Sequence, residues 1–193
     1  MARRIAVLFF LLASVAVPTR ASKLDQSYVP PSEPLLDSWV GDMGNGDKAE
    51  EAQTFRVGIQ GRLTGVDLYL QGYGDGSGLL LEIHRTTPNG LPSDAPGDLL
   101  GAAISLTKGP VDRQFVAFNL GDQGPQVQTG EQLALVLKAP GSGSYEWYGM
   151  PGNPYTQGIM STRSTFLRQP VVHTRGYRGR RRPGFPDLCR PGA

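Results

Sequence analysis

Short stretches in which apolar and polar residues alternate are the feature that most constrains the fold of this chain. Within 63–70, Val66, Leu68 and Leu70 fall on one side of an extended chain, and Asp67 and Tyr69 fall on the other. The same period of two runs through 79–87 and 131–138. Because the side chains of a strand point alternately to opposite faces, this pattern predicts antiparallel strands with one buried and one wet face.

Glycine and proline separate these stretches as turn residues, with 26 Gly and 16 Pro among 193 residues. Further strands are predicted at 52–59, 101–107, 114–120 and 145–149, and no segment after the leader keeps a helical period over about twelve residues. The sequence therefore predicts an all-β fold, an antiparallel β-sandwich (jelly roll) of seven or eight strands. The predicted inward side chains are Val66, Leu68, Leu70, Leu81, Ile83, Leu133, Leu135 and Leu137.

Residues 1–21 have the build of a signal peptide. Arg3 and Arg4 precede an apolar run at 5–17, and Thr19-Arg20-Ala21 suits cleavage after Ala21. The run spans about 20 Å as a helix, against a hydrocarbon core of about 30 Å. We therefore predict a secreted or cell-surface protein without a transmembrane segment in the mature chain. Cleavage after Ala16 and an uncleaved anchor are the alternatives.

Residues 22–161 are predicted to form one β-sandwich domain, because they suffice for one core and not for two. They contain eight Lys or Arg against sixteen Asp or Glu, whereas 162–193 contain eight arginines against the single acid Asp187. Few apolar residues in 162–193 follow either period, so this basic tail is predicted to be disordered. The arginines are Arg163, Arg168, Arg175, Arg178, Arg180, Arg181, Arg182 and Arg190.

Three interpretations of the basic tail stay open. The first is a solvated segment without a role. The second is an arm that binds a polyanion, such as nucleic acid, a heparin-like polymer or anionic lipid. The third is a segment translated from a shifted reading frame. In the third case the segment has replaced the final strand of the sandwich, and the unpaired edge of the neighbouring strand would favour association with other protein chains. For the protein as a whole we expect no nucleic-acid partner.

The strand segments also resemble a known family. The motifs are Leu24-Asp25-Gln26-Ser27-Tyr28, Ala52-Gln53-Thr54-Phe55-Arg56-Val57-Gly58, Gly61-Arg62-Leu63-Thr64-Gly65-Val66-Asp67-Leu68, Leu81-Glu82-Ile83-His84-Arg85-Thr86-Thr87, Thr129-Gly130-Glu131-Gln132-Leu133-Ala134-Leu135-Val136-Leu137 and Tyr145-Glu146-Trp147. Their order resembles that of choice-of-anchor, galactose-binding-like jelly-roll domains of secreted bacterial surface proteins, over 24–158. The resemblance implies an extracellular jelly roll without agreed catalytic residues, suspected of glycan binding or adhesion. After Gly158 the chain departs from the family pattern, because the alternating last strand is missing.

Catalytic motifs are absent from the sequence. There is no His-Glu-x-x-His zinc motif and no Gly-x-Ser-x-Gly elbow, and Cys189 lies in the basic tail. Jelly rolls do host glycosidases, which need two carboxylates about 5 to 9.5 Å apart, and Glu82, Glu131 and Glu146 are the candidates. Each is better interpreted as a solvated side chain, and His84 as a sheet-face residue. The protein is therefore predicted not to be an enzyme.

Aromatic residues give the candidate ligand-binding site, because Tyr145, Trp147, Tyr148 and Tyr155 fall within eleven residues. A ring presented at the surface can stack on the apolar face of a sugar. Alternation, however, sends Tyr145 and Trp147 to one side, where a strand tryptophan is often a core residue. We predict a non-catalytic binding module for carbohydrate or an extracellular polymer. The alternatives are a structural or adhesive domain and, less favoured, a glycoside hydrolase.

No cofactor is predicted, and a calcium site is the one alternative for which the sequence offers candidate ligands. Asp42, Asn45, Asp47 and Asp75 lie in glycine-rich stretches that offer oxygen ligands. Their spacing does not match a calcium-loop motif, and acidic turns are common in β proteins. The single cysteine leaves the chain without an internal disulfide, so burial must hold the domain together.

Overall fold

The structure of the protein is a computed structural model that describes residues 23–27, 36–44, 46–73, 78–105, 112–149, 155–164 and 171–173. The predicted signal peptide, and 165–170 and 174–193 of the predicted tail, lie outside the described residues. Within them the chain is almost entirely antiparallel β-structure, so the predicted β-sandwich is confirmed.

Twelve strands follow one another along the described chain, and eight of them have six or more residues. One turn of 3₁₀-helix covers Gly121–Gln123, between β7 and β8. The strands are β1 (Leu36–Asp42), β2 (Lys48–Arg56), β3 (Gly61–Arg62), β4 (Gly65–Tyr73), β5 (Leu79–Arg85), β6 (Leu99–Ser105), β7 (Gln114–Asn119), β8 (Gln126–Val127), β9 (Gln132–Lys138), β10 (Ser144–Gly149), β11 (Met160–Ser164) and β12 (Val171–His173).

Ten of these strands form two packed layers of one continuous sheet, and β3 and β8 pair with each other as a separate two-stranded sheet. Sheet 1 has the order β6-β5-β9-β2, with β11 and then β12 beside β2, and sheet 2 has the order β1-β10-β4-β7. The layers join where β1 and β2 pair through Gly41–Ala49 and Asp42–Lys48. At the far ends, β6 and β7 contact each other without a hydrogen-bonded ladder among the described residues. The result is a nearly closed sandwich.

The joint between the layers depends on Gly41. Its φ is +97°, and a Cβ atom at this position would lie 2.3 Å from the carbonyl oxygen of Gly143. A residue with a side chain would therefore be both strained and in collision here. Gly41 lets β1 leave sheet 2 and approach β2 at the corner of the sandwich.

The hydrophobic core lies between the two sheets. Its largest buried apolar side chains come from both of them, with Leu81, Ile83 and Leu137 from sheet 1 and Leu70 and Phe118 from sheet 2. Of the predicted inward side chains, Val66 and Leu135 are partly buried and pack against the core, and the other six are buried. Full burial of one such side chain is worth about 1.5 to 3 kcal/mol. The predicted inward register is confirmed.

All seven predicted strands are present, with ends shifted by a few residues. The strand predicted at 52–59 is β2 and starts at Lys48, and the one predicted at 101–107 is β6 and starts at Leu99. The strands that were not predicted are β1, β3, β8, β11 and β12, of which β3, β8 and β12 have only two or three residues. β1 has few apolar residues, and β11 has the sequence Met-Ser-Thr-Arg-Ser, so neither shows the alternation on which the prediction relied.

The described strands continue beyond residue 161, the predicted end of the sandwich domain. β11 pairs with β2 from Met160–Gln53 to Ser164–Ala49, and β12 pairs with β11. Residues 162–164 were assigned to the disordered tail but belong to β11, and 171–173 form β12. The physical reason is that the backbone hydrogen bonds of a sheet need no apolar side chains, so a polar segment can complete it. The edge of β2 is therefore covered.

Candidate functional site

The outer surface of sheet 2 carries a group of aromatic side chains. Core residues such as Val40, Leu68, Leu70 and Val116 alternate along β1, β4 and β7 with residues that point outward. We call the outward side chains the aromatic face. They are Trp39, Tyr69, Gln71, Tyr73, Arg113, Phe115, Glu146 and Tyr148.

The rings of the aromatic face form two groups. Trp39 and Tyr73 are stacked, with ring centroids 5.8 Å apart and an interplanar angle of 9°. Tyr69 lies 5.0 Å from Phe115 and 6.2 Å from Tyr148, in tilted and edge-on contacts. Tyr73 is 39% and Phe115 46% exposed, so both groups reach the surface.

Two polar side chains, Glu146 and Gln71, lie between the two ring groups, and we call them the polar row. Strand pairing places Glu146 between Trp39 and Gln71. The Tyr73 hydroxyl donates to Glu146 Oε2 at 3.0 Å, and the Tyr148 hydroxyl contacts the same oxygen. Glu146 is therefore held by two phenols, with its carboxylate between the rings.

The hydroxyl of Tyr148 links this carboxylate to its neighbours. It lies 3.0 Å from Gln71 Oε1, and Arg113 Nη2 donates to it at 3.4 Å. The Arg113 guanidinium also sits 4.3 Å from the centre of the Tyr148 ring. Burial first, and hydrogen bonding to Glu146 second, raise the pKa values of both Tyr148 and Tyr73, so both phenols keep their protons.

The four predicted site residues do not lie together. Tyr148 belongs to the aromatic face but is only 8% exposed, since Arg113 and Tyr69 pack against its ring. Tyr145 is 1% exposed in the core, and Trp147 is half-buried and packs against the core, as the alternation along β10 implies. The Tyr155 hydroxyl accepts a hydrogen bond from the Arg56 amide at 2.9 Å, near the end of β2 in sheet 1.

The sequence interpretation missed most of the aromatic face. Trp39, Tyr69, Tyr73 and Phe115 are distributed over β1, β4 and β7, so they form no cluster along the chain. The available signal was the alternation that places Tyr69 on the wet face of its strand. The order β1-β10-β4-β7 then brings these outward positions together.

The outer surface of sheet 1 has a different chemistry. Lys138 Nζ lies 2.7 Å from Glu82 and 3.8 Å from Glu50, and two nitrogens of Arg163 bind Glu50 Oε2 at 2.6 and 3.0 Å. His84 Nε2 lies 2.9 Å from Glu82 Oε2. We call these five residues the paired face. Burial opposes ionisation of Glu82, but hydrogen bonds from Lys138 and His84 outweigh it and lower its pKa.

An open depression of about 320 Å³ lies beside the paired face. Glu82, His84 and Lys138 line one side of it, and 93–97 line the other. The His84 ring joins the two sides, since its Nδ1 lies 2.9 Å from the Ser93 carbonyl oxygen. The polar groups of the depression are thus already bound to one another.

The carboxylates considered for glycoside hydrolysis are dispersed. Glu82 lies on the paired face, Glu146 on the aromatic face, and Glu131 forms an ion pair with Arg85 at 3.3 Å. Glu82 and Glu146 are on opposite outer surfaces of the sandwich, so they cannot flank one glycosidic bond.

The residues of the calcium hypothesis are only partly described. Asn45 and Asp75 lie outside the described residues. Asp42 Oδ1 accepts a hydrogen bond from the Gly44 amide at 2.7 Å, which is an ordinary turn contact. Within the described chain, no three His, Cys, Asp or Glu side chains are grouped as ligands for a metal ion.

Comparison with known proteins adds no relative. No family model, no curated protein and no solved structure matches the chain. Over the part of the chain that the structure describes, no helix has the length and apolar character needed to cross a membrane.

Proposed function

We propose that this protein is an exported, non-catalytic module that binds carbohydrate through its aromatic face. The observation that carries the proposal is the arrangement of two ring groups on either side of a polar row, on one face of a sheet. The leader sequence and the resemblance to secreted jelly-roll domains support the same function class.

The chemistry of the aromatic face matches that of a sugar. The C–H side of a pyranose ring is apolar and packs on an aromatic ring, while its hydroxyls need hydrogen-bond partners. Tyr73 and Phe115 offer exposed rings, and Glu146, Gln71 and Arg113 offer acceptors and donors between them. Adjacent sugar units of one chain would contact both ring groups.

The test is a titration of the full chain with soluble oligosaccharides, after a screen on a glycan array. Tyr73→Ala and Phe115→Ala should each weaken binding by about three- to tenfold, because each removes one stacking contact. Leu99→Ala is the matched control. Leu99 is 50% exposed on β6, in the opposite sheet, so its replacement should leave binding unchanged.

Two outcomes would contradict the proposal. Equal losses for Phe115→Ala and Leu99→Ala would mean that the aromatic face is not the binding surface. A native protein that binds no polysaccharide on the array would favour the structural or adhesive alternative.

A further inference from the structure

The acidic residues of the two sheets differ in whether they form ion pairs. Around sheet 1, each of five carboxylates forms an ion pair with Lys, Arg or His: Glu50, Glu82, Asp94, Asp98 and Glu131. On the outer surface of sheet 2, Asp37, Asp67 and Glu146 take part in no ion pair within the described part of the chain. Among the residues of the aromatic face the cation is Arg113, whose guanidinium contacts the hydroxyl and the ring of Tyr148. Three carboxylates against this one guanidinium give the outer surface of sheet 2 a negative balance.

These carboxylates act on the rings beside them. Asp37 lies opposite Tyr148 in the pairing of β1 with β10, and Glu146 accepts the hydrogen bond of Tyr73. The pKa of Tyr73 is raised by burial, then by Glu146, and further by the charge of Asp37. The hydroxyl end of Tyr73 therefore lies against the Glu146 carboxylate and within the electrostatic reach of Asp37.

Aromatic rings and carboxylates attract the same kind of group. The face of a ring carries negative electrostatic potential, so a cation above it is stabilised, and a nearby carboxylate adds to the attraction. Arg113 already occupies the Tyr148 ring in this way. The stacked pair of Trp39 and Tyr73, on the other side of Glu146, offers a second place of this kind.

We infer that the ligand of the aromatic face is a polysaccharide with free amino groups, built from glucosamine units, whose ammonium groups bind at Glu146 beside Tyr73. This inference rests on the proposed carbohydrate binding and adds the charge of the ligand. An N-acetylated chain of the same sugars has the same apolar faces but no positive charge. A chain of uronic acids would meet like charges at Asp37 and Glu146.

The experiment compares two ligands and three proteins by calorimetric titration of the full chain. The ligands are glucosamine oligomers and N-acetylglucosamine oligomers of equal length, at a slightly acidic pH where the amines are protonated. We expect the native protein to bind the glucosamine oligomers about three- to thirtyfold more tightly. Raising the salt concentration should reduce this preference, because exposed charges are screened.

Glu146→Gln is the decisive variant. It keeps the size of the side chain and an oxygen acceptor for the tyrosines but removes the charge, so the preference for glucosamine should fall to less than about threefold. Glu131→Gln removes one negative charge at sheet 1 and is the charge-matched control. Its preference should stay as in the native protein.

The outcomes separate this inference from the proposed function. Equal binding of both oligomers would overturn the inference and leave carbohydrate binding in place. Binding of neither oligomer, with binding of another glycan, would also overturn it, and binding of no glycan would overturn both. Binding of a lysine-rich peptide but of neither oligomer would identify the ligand as a protein and contradict the inference.

Discussion

Glu51 is an acidic residue in the interior of the sandwich. Its side chain is 1% exposed, and its Oε2 atom has no hydrogen-bond partner among the described residues. Burial raises the pKa of Glu51 to about 8, although hydrogen bonds with Thr162 and Ser38 act in the opposite direction. No Lys, Arg or His of the described chain forms an ion pair with it, so Glu51 is neutral at pH 7 in the folded state.

This buried carboxyl predicts a dependence of stability on pH. In the unfolded chain Glu51 loses its proton above pH 4.5, its ordinary pKa, whereas the folded protein keeps the proton up to about pH 8. The stabilisation that the protonated Glu51 gives the folded state, relative to the unfolded chain, is therefore fully present below pH 4.5. It falls by on the order of 1 kcal/mol per pH unit as the pH rises between those two values.

Glu51→Gln tests this dependence. The amide cannot ionise, so the free energy of unfolding of this variant should fall less than that of the native protein over the same pH range. Urea denaturation at the two ends of the range measures both. Parallel pH profiles of the two proteins would contradict the prediction.

Individual residues of the candidate site differ in how far the sequence could predict their positions. Alternation along β10 correctly separated Tyr145 and Trp147 from Tyr148, because neighbouring strand residues face opposite sides. It could not reveal that Trp39 stacks on Tyr73. That contact depends on strand order and register, which bring together residues far apart in the sequence.

At the scale of elements, β11 makes a testable contribution to the sheet. It lies between β2 and β12, where Ser161 pairs with Ala52 on one side and Val172 on the other. A residue in the middle of such a strand uses its N–H in one of the two ladders. Proline at this position removes that donor and disturbs the pairing.

Ser161→Pro should therefore lower the free energy of unfolding by about 1 to 3 kcal/mol. Ser161→Ala keeps the N–H and is the matched control, so the difference between the two variants isolates the backbone contribution. Thermal unfolding followed by circular dichroism measures it. Equal stabilities of the two variants would mean that β11 is not an integral strand.

β1 and β11, the two longest described strands that were not predicted, share a physical cause. β4, β5 and β9 were recognisable because their inward positions are mostly Leu, Ile or Val. In β1 and β11, Ser38 and Thr162 instead form hydrogen bonds with the buried Glu51. Where an inward position is polar, the alternation of apolar and polar residues is lost. The sequence alone therefore predicts the strands with apolar inward positions but not these two.

At the scale of the whole molecule, the two sheets share one core and are expected to unfold together. Both tryptophans, Trp39 and Trp147, lie in sheet 2, so their fluorescence reports on that sheet, whereas circular dichroism reports on all strands. Leu137→Ala removes a fully buried side chain from sheet 1 and should cost about 2 to 5 kcal/mol.

Leu137→Ala should shift the fluorescence and the circular-dichroism transitions by the same amount, because a cooperative domain unfolds as one unit. Phe118→Ala, in sheet 2, is the matched variant and should behave in the same way. A fluorescence transition unaffected by Leu137→Ala would show that the sheets unfold independently.

The contact of β6 with β7 has a mechanical consequence. Within each described sheet, neighbouring strands are joined by ladders of backbone hydrogen bonds, and β1 and β2 are joined at two paired positions, whereas β6 and β7 are in contact without a ladder between their described residues. A force that separates the two sheets should therefore open the described structure between β6 and β7 before it opens the corner between β1 and β2. β7 carries Phe115, so a ligand bound at that ring, as proposed above, would apply its tension directly to this side of the sandwich.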